Sequence, residues 1–284
     1  MKLDSLVPSN RLFCLFKGEP KTGKDIAAHS FAIAGLLYTF DLDSRMESVV
    51  NYYKKVVPRP DIIANIEYDR FTDFFSIHRR LEELKISCPY KTIVMSSLTS
   101  LARKSMNTML MTRAPAAKGS KGESKSRGGI ILHELEDFGG EANAIMMCLD
   151  SLLVISLKFN VNVILTAHII EPQAGAFRPM RTLLTGGKKI AAEIPVSFNE
   201  AYHFYVVTSG GMEVGANDTE RRYVALTASL GTDWAATALD LPEKVDFTAK
   251  YTSGLFYEEI MKFVRSANDL STATPEGLIS NEMQ

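Results

Sequence analysis

The chain has 284 residues, of which 46% are hydrophobic and 23% are charged, with a net charge of −1 and a pI near 6.5. This balance is typical of a globular protein with one large core or two modest ones, and it excludes a protein that binds nucleic acid through a basic charge spread over its whole surface. The first ten residues have an acid and a proline where a signal peptide needs an apolar run, and no window of membrane-spanning length lacks charges. We therefore expect a cytoplasmic protein with no membrane partner.

The sequence LFCLFKGEPKTGKDIAA, residues 12–28, has the pattern of a phosphate-binding loop. Its apolar start predicts a buried strand, residues 18–23 predict a tight loop, and a helix is expected from Asp25 onward. Glycines let backbone N–H groups converge on phosphate oxygens, and Lys24 adds a positive charge for the outer phosphates. The spacing Gly18-x4-Gly23-Lys24 is that of a Walker A loop and predicts ATP as the ligand. The predicted contact residues are Gly18, Glu19, Pro20, Lys21, Thr22, Gly23, Lys24 and Asp25.

The loop departs from the Walker A pattern at its last position. There the pattern has a Ser or Thr whose hydroxyl holds Mg²⁺, and this chain has Asp25. The alternative interpretation is a chance loop in which Asp25 only favours the start of a helix.

Polar residues follow three later apolar runs, each of which predicts a buried strand. Residues 36–40 end at an Asp-Leu-Asp triplet that includes Asp43, residues 92–95 end at Ser96, and residues 161–167 end at His168. Ligands of α/β proteins bind at the carboxyl ends of such strands. In nucleotide-binding folds one of these strands ends in an acid that holds Mg²⁺ through water, and Ser96 occupies that position. Two alternatives remain open, in which His168 is a buried core histidine and Asp43 is a helix cap.

Strands alternate with helices along most of the chain. Residues 62–68 alternate as a further strand, and residues 71–85, 98–111 and 141–159 predict helices. This order implies parallel βαβ units and an α/β fold with a doubly wound, mainly parallel sheet flanked by helices. Strands at 202–208 and 222–228 and a helix at 255–264 complete one domain, residues 1–265, and residues 266–284 predict a polar tail.

Two stretches are rich in basic residues and glycine. Residues 113–129 have a net charge of +4 and residues 171–189 a net charge of +3. Their basic residues are Arg113, Lys118, Lys121, Lys125 and Arg127 in the first stretch, and Arg178, Arg181, Lys188 and Lys189 in the second. Basic loops of this kind suit a flexible phosphate backbone, because each Lys or Arg contact releases counterions. The alternative interpretation of the first stretch is a solvated insertion.

The order of these motifs resembles the RecA core, and in particular the phage-encoded RecA-like nucleotide-binding proteins that include single-strand-annealing recombinases. The resemblance covers roughly residues 12–246. Its strongest parts are GEPKTGK at 18–24, TFDLD at 39–43 and TIVMSSLTSL at 92–101. VILTAH at 163–168 and LTGGKKIAAEIPVSFNEAYHF at 184–204 complete it.

The resemblance implies a role for each matched position. Lys24 would contact the β and γ phosphates of ATP, Asp43 would orient the attacking water, and His168 would detect the γ phosphate. The two basic stretches would be the loops that bind single-stranded DNA. A homo-oligomer or filament in the cytoplasm of the host cell is then expected.

Three positions depart from the family together. Asp25 replaces the metal-binding hydroxyl, Ser96 replaces the Walker B acid, and residues 234–237, WAAT, lack the Lys or Arg that neighbouring subunits of such filaments insert. One hypothesis is that Asp25 and Ser96 have exchanged places and still hold Mg²⁺. The other is that Asp25 mimics an anion at the start of the helix, so that the site binds ATP weakly or stays empty.

Two classes of function follow from these hypotheses. The first is a RecA-like protein that binds ATP and single-stranded DNA and supports phage recombination or strand annealing, with impaired hydrolysis. The second is a pseudo-ATPase kept as a structural or assembly protein of a phage. An unrelated P-loop kinase is a third interpretation, but the sequence has no recognisable acceptor site for it.

Overall fold

The fold is known from a computed structural model, which describes residues 11–112, 126–127, 130–131, 135–170, 182–185, 188–209 and 220–271. One large sheet runs through this part of the chain. Its nine strands are β1 (Phe13–Gly18), β2 (Leu37–Asp41), β3 (Ile66–Arg70), β4 (Thr92–Ser96), β7 (Asn162–Ile170), β8 (Thr182–Leu183), β9 (Glu200–Ser209), β10 (Glu220–Leu226) and β11 (Lys244–Asp246). Two further strands, β5 (Ser126–Arg127) and β6 (Ile130–Ile131), form a separate short pair.

Helices lie between the strands and cover the sheet. They are α1 (Lys24–His29), α2 (Met46–Lys55), α3 (Pro60–Ala64), α4 (Phe74–Ile86), α5 (Leu98–Thr112), α6 (Leu135–Phe159), α7 (Lys188–Glu193) and α8 (Phe256–Ser271), with 3-10 turns at Ser30–Ala34 and Ile194–Ser197.

The strand order is β11-β10-β9-β1-β7-β4-β2-β3, and β8 pairs with the end of β7. Six neighbouring strands, from β9 to β3, run parallel, and β10 and β11 extend the sheet with antiparallel pairing. The predicted α/β fold with a doubly wound, mainly parallel sheet is therefore confirmed. The first strand, β1, lies in the middle of the sheet, so its loop opens at the centre of the carboxyl edge.

Alternating side chains of the central strands fill two cores, one on each face of the sheet. On β1, Phe13 and Leu15 join the core beneath α4, α5 and α6, whereas Cys14 and Phe16 join the core beneath α1, α2 and α8. Because both faces are covered, the central strands are apolar along nearly their whole length, which explains why the sequence shows them as apolar runs.

Several predicted boundaries are wrong. Residues 62–65 do not belong to a strand, because α3 begins at Pro60, a residue that is favourable in the first turn of a helix, and β3 begins only at Ile66. Strand β7 continues to Ile170, so His168 lies within the strand. Helix α8 extends to Ser271, beyond the predicted helix end at 264. The domain boundary at residue 265 stays a prediction.

Helix α6 is the most apolar long helix of the described chain. Its segment Gly139–Phe159 is long and apolar enough to span a membrane by length and composition alone, and 44% of the tested window is buried inside the fold. Core helices of soluble proteins pass the same test, and the segment contains Glu141, Asp150 and Lys158. The inner side of α6 packs on α4, α5 and the sheet.

Candidate nucleotide-binding site

Packing against neighbouring strands requires both glycines of the predicted phosphate loop. A Cβ atom on Gly18, the last residue of β1, would lie 2.2 Å from the carbonyl oxygen of Phe204 on β9. Gly23 has a φ angle of +86°, and a Cβ atom there would lie 3.1 Å from the ring of Tyr223 and 3.2 Å from the ring of Phe247. The spacing of the two glycines is thus set in part by contacts within the fold.

Lys24 is the first residue of α1, and its buried side chain turns back onto the loop. Its Nζ donates hydrogen bonds to the carbonyl oxygens of Gly18 at 3.0 Å and Glu19 at 2.6 Å, and contacts the hydroxyl of Thr22 at 3.4 Å. Burial lowers the pKa of Lys24 to about 8, although Asp25 opposes this shift. Because an ammonium group has three N–H donors, a phosphate that binds Lys24 must replace at least one of these contacts.

The side chains of Asp25 and Ser96 contact each other beside Lys24. Ser96 Oγ donates a hydrogen bond to Asp25 Oδ1 at 3.0 Å. Asp25 lies in the first turn of α1, whereas Ser96 is the last residue of β4 and is buried. The fold therefore brings together the two residues at which the sequence departs from the usual metal-binding pattern.

This pair suits a metal ion that arrives with a nucleotide. Carboxylate and hydroxyl oxygens are hard ligands of the type that Mg²⁺ prefers, and Mg²⁺ in nucleotide sites commonly takes one or two protein ligands and completes its shell with phosphates and water. Among the described residues there is no cluster of three or more His, Cys, Asp or Glu side chains that could hold a metal by itself. Asp25 and Ser96 thus fit Mg²⁺ bound together with phosphates better than a metal held by protein alone.

Asp43 lies at the same edge of the sheet, in the loop after β2. Its carboxylate accepts a hydrogen bond from the hydroxyl of Ser100 on α5. Burial lowers the pKa of Lys24 and of His168, and the negative charge of Asp43 opposes both shifts. Asp43 does not cap α2, because the N-cap residue of that helix is Arg45. The backbone amide of Arg45 donates instead to Asp41 Oδ1 at 3.0 Å.

Arg45 is a candidate residue that the sequence analysis missed. Burial is the main cause of the lowered pKa of Lys24 and of His168, and the positive charge of Arg45 lowers both further, so the guanidinium lies within electrostatic range of the loop. The signal in the sequence is an arginine two positions after Asp43. The sequence alone does not show that Arg45 approaches the loop, because Ser44, between the two residues, has a φ angle of +55° that redirects the chain.

His168 lies beside the loop, since it pairs with Gly18 in the register of β7 and β1. Its side chain is half-buried, and within the described chain its Nδ1 has no hydrogen-bond partner. Burial lowers the pKa of His168, and the neighbouring charge of Lys24 lowers it further. The imidazole is therefore neutral at pH 7 and can donate or accept one hydrogen bond at the mouth of the loop.

A cavity of about 460 Å³ adjoins the outer side of the loop, next to β9 and β10. It is lined by loop residues 19–22 and by aromatic and basic side chains of the two strands, including Tyr205, Tyr223 and Arg221. A cavity of this size accommodates a small ligand such as a nucleoside.

Residues 234–237 pack on the sheet of the same chain. The ring of Trp234 lies 4.0 Å from the ammonium group of Lys17, and Ala236 pairs with Ala201 on β9. Thr237 Oγ1 donates to the buried carboxylate of Glu200 at 2.6 Å. These contacts explain Trp234 and Thr237 without a role at a neighbouring subunit.

Most of the predicted DNA-binding side chains lie outside the described residues: Arg113, Lys118, Lys121, Lys125, Arg178 and Arg181. For Arg127 in β5, and for Lys188 and Lys189 in the first turn of α7, the structure describes the backbone but not the side chains. The DNA-binding role of both stretches stays a prediction.

Comparisons with known proteins find similar folds among the solved structures but no match of sequence. No known protein family matches the sequence, and no curated protein matches it. The crystal structure of the RadB recombinase is similar, with a TM-score of 0.46 and 13% sequence identity, over 83% of this chain and 86% of that chain. A likeness of this size carries no conclusion about activity, which has to be argued from the site itself.

Proposed function

We propose that this chain is a RecA-like protein that binds ATP with Mg²⁺, binds single-stranded DNA through its two basic stretches, and supports recombination or strand annealing in a bacteriophage. Its rate of ATP hydrolysis is low. The observation that carries the proposal is the contact between Ser96 and Asp25 beside Lys24. It supports a metal site in which the carboxylate and the hydroxyl have exchanged places.

The side chains around the loop have separable roles in this proposal. Lys24 binds the outer phosphates after it gives up one of its contacts with the loop carbonyls. Asp25 and Ser96 hold Mg²⁺, which neutralises phosphate charge when it is bound. Asp43 and His168 face the terminal phosphate, and Arg45 adds a positive charge from the same chain. The cavity beside Tyr223 takes the base.

Asp25 makes the proposed binding strictly dependent on Mg²⁺. A carboxylate about 4 Å from a phosphate charge costs on the order of 4 kcal/mol at an effective dielectric constant near 20, whereas a carboxylate that binds the metal becomes a favourable ligand. Wild-type protein should therefore bind ATP at least roughly tenfold more tightly with Mg²⁺ than with EDTA.

Isothermal titration of four proteins tests the exchanged pair. In Asp25→Ala the difference between Mg²⁺ and EDTA should shrink, because both the repulsion and the metal ligand are removed. The reciprocal variant, Asp25→Ser with Ser96→Asp, should keep the difference, because it restores the pair in opposite positions. Lys24→Ala is the control that should lose ATP binding. Equal affinities of the wild type with and without Mg²⁺ would contradict the proposal.

Slow hydrolysis is expected because no Lys or Arg from a neighbouring subunit joins Lys24 and Arg45 in neutralising the charge that develops during phosphoryl transfer. Residues 234–237 contain no Lys or Arg, and this segment packs on its own sheet. Removal of such a cation typically costs several orders of magnitude in rate. A fast ATPase rate that disappears in Lys24→Ala would rule out this part of the proposal.

A second candidate function is a pseudo-ATPase that serves as a structural or assembly protein of a phage. One observation favours it, because the contacts of Lys24 with Gly18, Glu19 and Thr22 engage all three of its donors within the loop. In that case the titrations described above would detect no ATP binding at all, with or without Mg²⁺.

A further inference from the structure

The outward side of α6 carries an apolar stripe, which we call the outer α6 face. Its residues are Met147, Asp150, Leu153, Val154, Leu157 and Lys158, and all six are exposed. The four apolar members have between 40% and 54% of their surface exposed. Soluble monomers rarely expose so many large apolar side chains side by side, and such patches commonly mark interaction sites.

The spacing of this stripe is that of a helix that packs on another helix. Met147, Asp150, Val154 and Leu157 are three, four and three positions apart, so they lie in one row along the helix. The flanking members, Leu153 and Lys158, widen the row on its two sides. A partner that presents a second helix would therefore cover it best.

We propose that the outer α6 face binds the same face of a second copy of this chain, with the two helices antiparallel around a two-fold axis near Val154. Asp150 lies four residues before Val154 and Lys158 four residues after it, so each is about 6 Å from the axis along the helix. Antiparallel pairing places Asp150 of each copy beside Lys158 of the other, and a two-fold axis forms both ion pairs.

The charges of the face are available for such pairing. Within the described chain Asp150 has no hydrogen bond or ion pair. Lys158 Nζ donates to the carbonyl oxygen of Lys85 at 2.8 Å, which leaves two of its three N–H donors for a partner.

This association is separate from the proposed nucleotide and DNA binding. The face lies on the outer surface of the helical layer, whereas the loop with Lys24 lies at the carboxyl edge of the sheet. The two-fold pair should therefore form in the absence of ATP and DNA.

Sedimentation velocity of wild-type protein and single charge variants tests the pairing. Wild-type protein should form dimers. Asp150→Lys places two lysines opposite each other at both ends of the contact, and Lys158→Asp places two aspartates there. Each variant alone should dimerise at least roughly tenfold more weakly, because two attractive pairs become repulsive. Thermal melts of the separate variants should show that both stay folded, since both positions are exposed.

Mixing the two variants gives the decisive result. In a mixed dimer the new lysine of the Asp150→Lys chain faces the new aspartate of the Lys158→Asp chain, and the native Lys158 of the first chain faces the native Asp150 of the second. Association should therefore return as a heterodimer. The double variant, Asp150→Lys with Lys158→Asp, should also dimerise like the wild type.

A parallel arrangement of the two helices gives a different result. Each position would then lie opposite itself, so the wild type would oppose like charges and the mixed pair would associate more tightly than the wild type. That outcome would contradict the antiparallel pairing.

Three further results would overturn the proposal. The first is a wild-type protein that stays monomeric at tens of micromolar, as expected if another segment of the same chain covers the face. The second is dimers that the single charge variants do not weaken. The third is wild-type protein that floats with phosphatidylcholine vesicles and loses this binding in Val154→Glu, since the face would then bind lipid.

Discussion

At the scale of single residues, Gly18 illustrates how a motif residue can be required by packing. Because a Cβ atom at this position would lie 2.2 Å from the carbonyl oxygen of Phe204, Gly18→Ala must push β1 and β9 apart. We expect it to lower the free energy of unfolding by about 1–3 kcal/mol, whether or not nucleotide is present.

The matched control is Gly139→Ala in α6, where a Cβ atom would meet nothing within 4 Å. Gly139 is the fifth residue of α6, inside the helix, so this change should raise the free energy of unfolding by about 0.5–1 kcal/mol. Urea unfolding of the three proteins measures both effects. If Gly18→Ala were as stable as the wild type, the close approach of the two strands would be wrong.

The pKa of Lys24 gives the proposed ATP binding a characteristic pH dependence. Burial lowers this pKa to about 8, so the side chain loses its charge as the pH rises through 8, whereas a bound triphosphate would favour the charged form. The affinity for ATP should therefore be highest below pH 8 and fall by up to roughly tenfold per pH unit above it.

Lys24→Arg separates this effect from other titrating groups. A guanidinium stays charged throughout this range, so whatever affinity the variant retains should be flat between about pH 7 and pH 9.5. Isothermal titration with Mg²⁺ at several pH values measures both proteins. The same pH dependence in the wild type and in Lys24→Arg would show that Lys24 does not bind the phosphates.

At the scale of elements, the start of α4 depends on one side chain. Asp73 Oδ1 accepts a hydrogen bond from the backbone amide of Ser76 at 2.9 Å, and this bond lowers the pKa of Asp73. Asp73→Ala should lower the free energy of unfolding by about 1 kcal/mol at pH 7, and Asp73→Ser should recover most of it.

The pH dependence of this cap has a definite sign. Because the folded pKa of Asp73 is lowered, its contribution is complete above the unfolded value of about 3.9 and is lost as the pH falls through the folded value. The difference between wild type and Asp73→Ala in urea unfolding should therefore be smaller at pH 3 than at pH 7. An equal difference at both values would contradict the cap.

The sequence predicts best the strands that are buried on both faces. Strands β1, β4 and β7 appear as apolar runs because helices cover both faces of the sheet. Strand β3 lies at the edge of the sheet, and four of its five residues are exposed, so its pattern is weak and the prediction began too early. The early start also overlooked Pro60, which favours a helix at that point.

The sequence predicts candidate site residues where they belong to the glycine loop or follow an apolar strand. The spacing from Gly18 to Lys24 predicts the loop, and the ends of apolar strands predict Asp43, Ser96 and His168 as candidate residues. The contact of Ser100 with Asp43 and the approach of Arg45 to Lys24 depend on how the loops after β2 and β4 turn. Local spacing does not specify such contacts, because they join segments that are distant in sequence.

At the scale of the whole molecule, the distribution of charge and apolar surface predicts which surface binds which partner. The chain has a net charge of −1, although its two basic stretches together hold nine of its Lys and Arg residues against two acids, so the rest of the chain is acidic. Single-stranded DNA should therefore approach through these stretches alone. The outer α6 face, which is apolar and carries one charge of each sign, suits a second copy of the chain.

The salt dependence of DNA binding tests this division of surfaces. For single strands the slope of log affinity against log salt is about −0.7 for each phosphate contact. Replacing Lys118, Lys121 and Lys125 with Ala should therefore make the slope shallower by about 2 and weaken binding at low salt. Fluorescence anisotropy with a labelled thymidine oligonucleotide, between about 50 and 300 mM salt, measures the slope.

A control variant with the same change of net charge shows whether position matters. Lys54, Lys55 and Lys244 are exposed and belong to α2 and β11, so replacing all three with Ala should leave the slope nearly unchanged. Equal effects of the two triple variants would mean that DNA responds to the overall charge of the protein. Absence of binding by the wild type at the lowest salt would favour the structural or assembly role, because the basic stretches would then have no nucleic-acid partner.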